Sequence, residues 1–195
     1  MNSINNLANL LRAQGKLGDA EPLYREALAG RRRTLGDEHP NTLGSINNLG
    51  ALLCDQNNLS SSEALHRESL SGCRRVLGDT HPLTFWPLNG LATCLRRQGR
   101  FDEALPLARE AHAGRCAALG EAHLDTLHSA HELGVLLRLL GARSRALPFA
   151  AAAHEGRLRI QGSESRHTLA SQLSLARLRG DGALAAALAA RNAKE

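Results

Sequence analysis

Asparagines, arginines and a single tryptophan recur along this chain at spacings that could grip another polypeptide. Asn5, Asn6, Asn9 and Arg12 fall within two helical turns; Asn47 and Asn48 follow, then Trp86, Asn89, Arg96 and Arg97, then His131 and Arg138. An asparagine amide offers one acceptor and two donors, so it can pair with both the C=O and the N–H of an extended chain. Arginine adds bidentate pairing to carboxylates. The chemistry these residues offer is recognition of an extended, acidic peptide. Trp86 either anchors an apolar side chain of that peptide or fills the gap left by a kinked helix, because Pro87 and Gly90 follow it in TFWPLNG.

Bond-making chemistry has no comparable support. There is no G-x-x-x-x-G-K-[ST] loop and no G-x-G-x-x-G opening a helix after a strand. No nucleophile, base and acid come together in a motif, so no catalytic residue, no cofactor and no metal site are expected. His39, His81 and His123 recur at one loop position, too dispersed for a single metal centre, and are expected to serve the loop and the first turn after it. Cys54, Cys73, Cys94 and Cys116 form no CxxC, and the expected setting is a reduced cytoplasm. Cys54 shares the asparagine face and is the cysteine whose reactivity is worth testing. No apolar run approaches the roughly 20 residues of a membrane span. The formal charge of +5 favours acidic partners, whereas the five aromatic residues are too few for the stacking that single-stranded nucleic acid requires.

The elements that must carry these side chains are set by an internal repeat. Thr42, Thr84, Thr126 and Thr168 are separated by 42 residues, and so are Leu7, Leu49, Leu91, Leu133 and Leu175. A fixed period of this size marks stacked supersecondary units. Ile4, Leu7, Ala8 and Leu11 follow the spacing of a buried helix face. Gln14-Gly15-Lys16 interrupts it, and Ala20, Leu23, Tyr24, Ala27 and Leu28 form a second face. Gly36 followed by Pro40 ends that helix. Pro22, Pro106 and Pro148 are expected in the first turn of each second helix. Arg31–Arg33, Arg74–Arg75 and Arg157/Arg159 are expected near second-helix ends, complementing the helix dipole, with a basic outer ridge as the alternative. The pattern predicts first helices over roughly 2–14, 42–56, 86–98 and 126–140, and second helices over roughly 18–35, 60–77, 102–119 and 144–161. The repeats span 1–41, 42–83, 84–125 and 126–167, with a degenerate cap over 168–195, as one array.

The strings SINNLANLLRAQGKLGDAEPLYREAL, RRRTLGDEHPNTLGSINNLGALL and RRQGRFDEALPLAREA resemble the 42-residue tetratricopeptide units of kinesin light chains and nephrocystin-like proteins. The resemblance covers residues 1 to about 178. It implies an all-α, right-handed superhelical solenoid of antiparallel helix pairs, with first helices lining a concave groove. It implies that the asparagine of the NNL motif touches bound peptide, which falls on Asn6 and Asn48; Gly90 and Glu132 replace it in the later repeats. A clamp for a chaperone's C-terminal carboxylate is disfavoured, because the matching positions Asn5, Asn9, Asn48, Trp86 and Gly90 keep the asparagines and lack the cations. The expected function is a non-catalytic protein-binding adaptor or scaffold. An RNA-binding helical repeat and a purely architectural segment are the alternatives.

Overall fold

The computed structural model of the chain describes residues 2–192, with side chains from 3 to 191. Among these residues there are ten α-helices and no strand. The helices are α1 Asn2–Ala13, α2 Leu17–Leu35, α3 Pro40–Asp55, α4 Leu59–Leu77, α5 Phe85–Arg97, α6 Phe101–Leu119, α7 Leu124–Leu139, α8 Arg143–Gln161, α9 Arg166–Arg179 and α10 Gly182–Asn192. The last three residues of the expected cap, 193–195, lie outside the described residues. The helices form two compact units, α1–α5 up to Arg100 and α6–α10 from Phe101. Within each unit every helix packs on its neighbours in sequence, as antiparallel pairs.

Small residues at fixed positions allow this packing. Ala20, Ser62, Ala104 and Ala146 have no exposed surface at all, and Ala8, Ala92 and Ala176 are 0–4 % exposed. At Gly134 an added Cβ would stand 3.3 Å from the Ala150 nitrogen, so helix backbones meet there directly. Larger side chains in these columns would overpack the contact, at about 1–3 kcal/mol each. Around them Leu28, Leu43, Ile46, Leu49, Leu52 and Leu53 close one continuous core in unit 1. Leu49, Leu91, Leu133 and Leu175 are 2–5 % exposed, as a buried column requires. Leu7 departs from that expectation at 48 %. Each later first helix packs on the second helix before it, and α1 has none among the described residues.

The turns are built by polar groups. His39, His81 and His123 each accept a backbone N–H through Nδ1, from Asn41, Leu83 and Asp125 at 3.1–3.2 Å. The recurrent histidine therefore caps the N-terminus of the next helical segment, the role usually taken by Ser, Thr, Asp or Asn. Second helices end at a glycine with φ of +77° to +90°, a region closed to most side chains. Pro82–Thr84 forms a 3-10 turn before α5. Helix α5 thus starts late, Pro87 falls third in it, and the missing N–H is one that a first turn leaves unpaired anyway. Pro22, Pro106 and Pro148 lie one turn deeper than expected, at the sixth residue of α2, α6 and α8; all three face solvent.

The arginines near the second-helix ends divide into two settings. Arg31, Arg115 and Arg157 share one repeat column and are 8 %, 4 % and 3 % exposed. Each sends Nη1 to a carbonyl at or next to the start of the following first helix: Asn41 at 3.1 Å, Asp125 at 2.8 Å and His167 at 3.0 Å. Each ties a second helix to the next repeat. Arg33, Arg74, Arg75 and Arg159 are exposed. Arg157→Ala is expected to lower stability by about 2–4 kcal/mol, from the lost packing and the stranded carbonyl, whereas Arg159→Ala stays within about 0.5 kcal/mol. Urea unfolding of the two variants checks the contrast.

Candidate functional site

The first helices of unit 1 converge on a cleft of ≈ 260 Å³. Asn5 from α1, Asn41, Gly44, Asn47 and Asn48 from α3, and Trp86 and Pro87 from α5 form its walls, with Arg31, Ser69 and Cys73 contributed by second helices. The Asn48 amide donates to Asn5 Oδ1 at 3.3 Å, bridging two repeats across the cleft. Trp86 is 41 % exposed and presents its indole there. A Cβ at Gly44 would meet nothing within 4 Å, so the cleft opens down to the α3 backbone at that point.

The other expected residues fall in several settings. Asn6 is exposed and outside the residues lining the cleft. Asn9 accepts the Tyr24 hydroxyl at 2.6 Å, and Arg12 pairs with Asp55 at 2.6 Å. Asn47 is 9 % exposed and Asn89 is 5 % exposed, both turned toward the interior. Arg97 donates to the Cys54 carbonyl and stands 3.4 Å from its sulfur. Burial pushes the Cys54 thiol pKa up, against the pull of the Arg97 charge, and at 5 % exposure the thiol is poorly placed to react. Arg96 is half-buried on α5; His131 and Arg138 are half-buried on α7 of unit 2. Four expected residues, Asn5, Asn47, Asn48 and Trp86, therefore meet in one cleft.

One residue outside the sequence-derived set organises the floor. His66 of α4 is 1 % exposed, and its Nδ1 lies 3.1 Å from Asn47 Oδ1, which requires the proton on Nδ1. The ring is wedged between two first helices: a Cβ at Gly50 would lie 3.1 Å from it and one at Gly90 only 2.4 Å. Gly90 thus replaces the NNL asparagine of the third repeat because the imidazole occupies the space. The signal lay in a column that runs Tyr24, His66, Ala108, Ala150. Among the described residues no group of His, Cys, Asp and Glu is arranged to hold a metal ion.

Gly44→Leu has room for its side chain and helical backbone angles, so it is expected to fill the cleft and leave the thermal midpoint within about 2–4 °C, a change of at most about 1 kcal/mol. A crystal structure of the variant checks the filling. A second expectation concerns pH. Burial, with the Arg12 charge adding to it, holds His66 down to about 4, while the unfolded residue titrates near 6.5. Between those values the unfolded chain takes up a proton that the fold refuses. Stability is expected to fall as pH drops from about 6.5 to about 4, by about 3 kcal/mol from this group; above that window the group contributes no slope. His128, also held to about 4 by burial, adds a loss of the same sign. His66→Phe is expected to remove about one proton from the pH dependence of urea unfolding.

Family models for the tetratricopeptide repeat match residues 1–41 and 43–117, together more than half of the chain. Crystallised kinesin light chain-type repeats from Podosopora anserina are similar over 99 % of this chain and 93 % of theirs, with 24 % identity and a TM-score of 0.71; a single-substitution variant of those repeats gives 0.72 over 99 % and 92 %. BtubC (BKLC) from P. vanneervenii is similar over 98 % of this chain and 77 % of its own, with 22 % identity and a TM-score of 0.72. No curated protein matches the chain. At these identities the likeness to the solved structures is one of fold, and the repeat supports protein–protein interaction. With its paired helices, its histidine-capped turns and both family matches, the chain belongs to the tetratricopeptide repeat family.

Proposed function

We propose that the protein is a non-catalytic adaptor or scaffold of the cytoplasm that holds an extended, acidic peptide in the cleft of unit 1. The observation that carries this reading is the meeting of Asn5, Asn41 and Asn48 amides with an exposed indole over an open stretch of α3 backbone. Amides suit the main chain of a peptide, and Trp86 suits an apolar side chain. The preference for acidic residues rests on the charge of +5 and on Arg12, Arg96 and Arg97 along the first helices. His131 and Arg138 belong to α7 of unit 2 and lie outside the residues lining this cleft. The four cysteines are unpaired, in keeping with a reducing compartment, and among the described residues no helix is long and apolar enough to cross a membrane.

A peptide array probed with the purified chain tests the proposal, with titration calorimetry on the peptides retained. Acidic peptides are expected to bind with micromolar affinity, about −7 to −8 kcal/mol. Asn48→Ala is expected to weaken binding about 5- to 10-fold, the worth of one net hydrogen bond. Arg96→Glu with Arg97→Glu is expected to weaken it more at low salt than at high salt. Retained peptides without acidic residues would remove the charge preference. Affinities untouched by Asn48→Ala and Gly44→Leu would remove the cleft. Tight RNA binding that falls steeply with salt would replace the reading with a nucleic-acid one.

A further inference from the structure

Three columns of the repeat that begin apolar turn polar at one junction of unit 2. The first runs Leu28, Leu70, His112 and ends at His154 on α8. The second runs Ile4, Ile46, Leu88, Ala130 and ends at Gln172 on α9. The third runs Leu11, Leu53, Leu95, Leu137 and ends at Arg179, also on α9. These are core columns elsewhere, since Ile46, Leu53, Leu88, Leu95 and Leu137 are 0–3 % exposed. His154, Gln172 and Arg179 instead line one cavity of ≈ 160 Å³. Asp181 and Leu184, at the turn into α10 and just beyond it, complete its wall with Leu175 and Ala176. All of these residues belong to α8, α9 and α10, which pack in sequence within unit 2.

The two histidines of the first column are held differently. His112 Nδ1 lies 3.3 Å from Ser129 Oγ, and its ring meets Phe149 edge-on. His154 Nδ1 is buried and meets no hydrogen-bond partner among the described residues. A buried polar atom left unpaired destabilises a fold and calls for an explanation; the cavity beside this one is where a partner can enter. The floor is buried and apolar, with Leu175 5 % and Ala176 3 % exposed. The rim is charged, because Arg179 and Asp181 are both exposed. Asp181 Oδ1 accepts the Leu184 N–H at 3.0 Å, which caps α10 and fixes the carboxylate in place; its second oxygen can accept from a ligand. A dry cavity of about 150 Å³ admits benzene, so the capacity here is that of a small metabolite. Opposite charges at the rim suit a zwitterion, and the imidazole with the Gln172 amide suits a short polar side chain.

We propose that this cavity binds a small α-amino acid with a hydroxyl side chain, of the serine and threonine class. The α-carboxylate pairs with Arg179 and the α-ammonium with Asp181. The hydroxyl bonds His154 Nδ1 and the Gln172 amide, and the carbon atoms of the side chain lie on Leu175 and Ala176. A ligand held by α8, α9 and α10 together stabilises their packing, so the concentration of the amino acid sets the stability of this junction. The site is independent of the peptide cleft of unit 1, because no residue lines both.

Titration of the 195-residue chain with threonine, valine and N-acetylthreonine tests it, read by NMR of labelled leucine and alanine methyl groups. Threonine is expected to shift the Leu175, Ala176 and Leu184 signals saturably, with a dissociation constant on the order of 0.1–1 mM. Valine has nearly the same shape without the hydroxyl. It is expected to bind at least about 10-fold more weakly, because it leaves His154 Nδ1 unpaired. N-acetylthreonine lacks the ammonium and is expected to lose a similar factor of about 10. His154→Leu restores the residue that Leu28 and Leu70 provide, and is expected to make valine bind as well as threonine. Arg179→Met, at an exposed position, is expected to weaken threonine about 10-fold; circular dichroism checks that both variants fold. The absence of a saturable shift at about 20 mM threonine, well above the expected constant, overturns the proposal. So does valine or N-acetylthreonine binding the unaltered chain as tightly as threonine, or a preference for threonine over valine that survives His154→Leu.

Discussion

The close approach of one helix backbone to the next governs nearly everything else in this molecule. Ala20, Ser62 and Ala146 are wholly buried because no larger side chain fits where the helices of a pair meet. Hydrophobic burial supplies the drive, but close-packed interiors make the fit selective, since even one added methylene is felt. Within each unit, with the helix pairs held close, a second helix reaches the next first helix: α2 on α3 and α4 on α5, then α6 on α7 and α8 on α9. Stability in such a chain is a sum of intrinsic and nearest-neighbour terms. A local defect is therefore expected to soften its own interface before any distant one.

Polar groups fix how neighbouring repeats meet, and they vary where the apolar columns do not. Glu21 with Gln56 and Glu63 with Gln98 staple two successive junctions near the helix turns. The same two columns then carry Leu105 and Leu140, so the hydrogen-bonded pair does not recur there. Arg31, Arg115 and Arg157 reach the next helix from the other end of the second helices. Their burial keeps a charge near a helix start that would repel it, and the backbone carbonyls they engage supply the compensation a buried guanidinium needs.

The helix boundaries were legible in the sequence because the period is exact in length and the breakers are glycines. Observed and expected ends of the eight helices differ by at most two residues, including α5, whose late start the proline announced. The groove residues were less legible. A helical wheel separates one face from another, but Asn5, Asn6 and Asn47 differ in exposure because neighbouring helices cover one side of a polar stripe and leave the other. Arg31 read as a helix-end charge complementing the dipole, because sequence alone does not show that its side chain is buried against the following helix. His66 departs visibly from its column, but its role was hidden for a related reason. Its meaning depends on two glycines, 16 residues before it and 24 after it, that become neighbours of the ring only when α3, α4 and α5 pack.

The imidazole wedged between Gly50 and Gly90 has a consequence for how such a chain can change by duplication or exchange of its parts. The third and fourth repeats look interchangeable here, since their second helices present Ala108 and Ala150 at this position. The second repeat is not. Its ring needs a first helix with a glycine on either side, and the asparagine that the NNL motif would place at residue 90 collides with it. A copy of that repeat inserted before itself, or moved beside another, would set the ring against Asn48 or Glu132. The histidine and the glycine that follows it in the next repeat form one heritable piece, longer than the 42-residue period and out of phase with it.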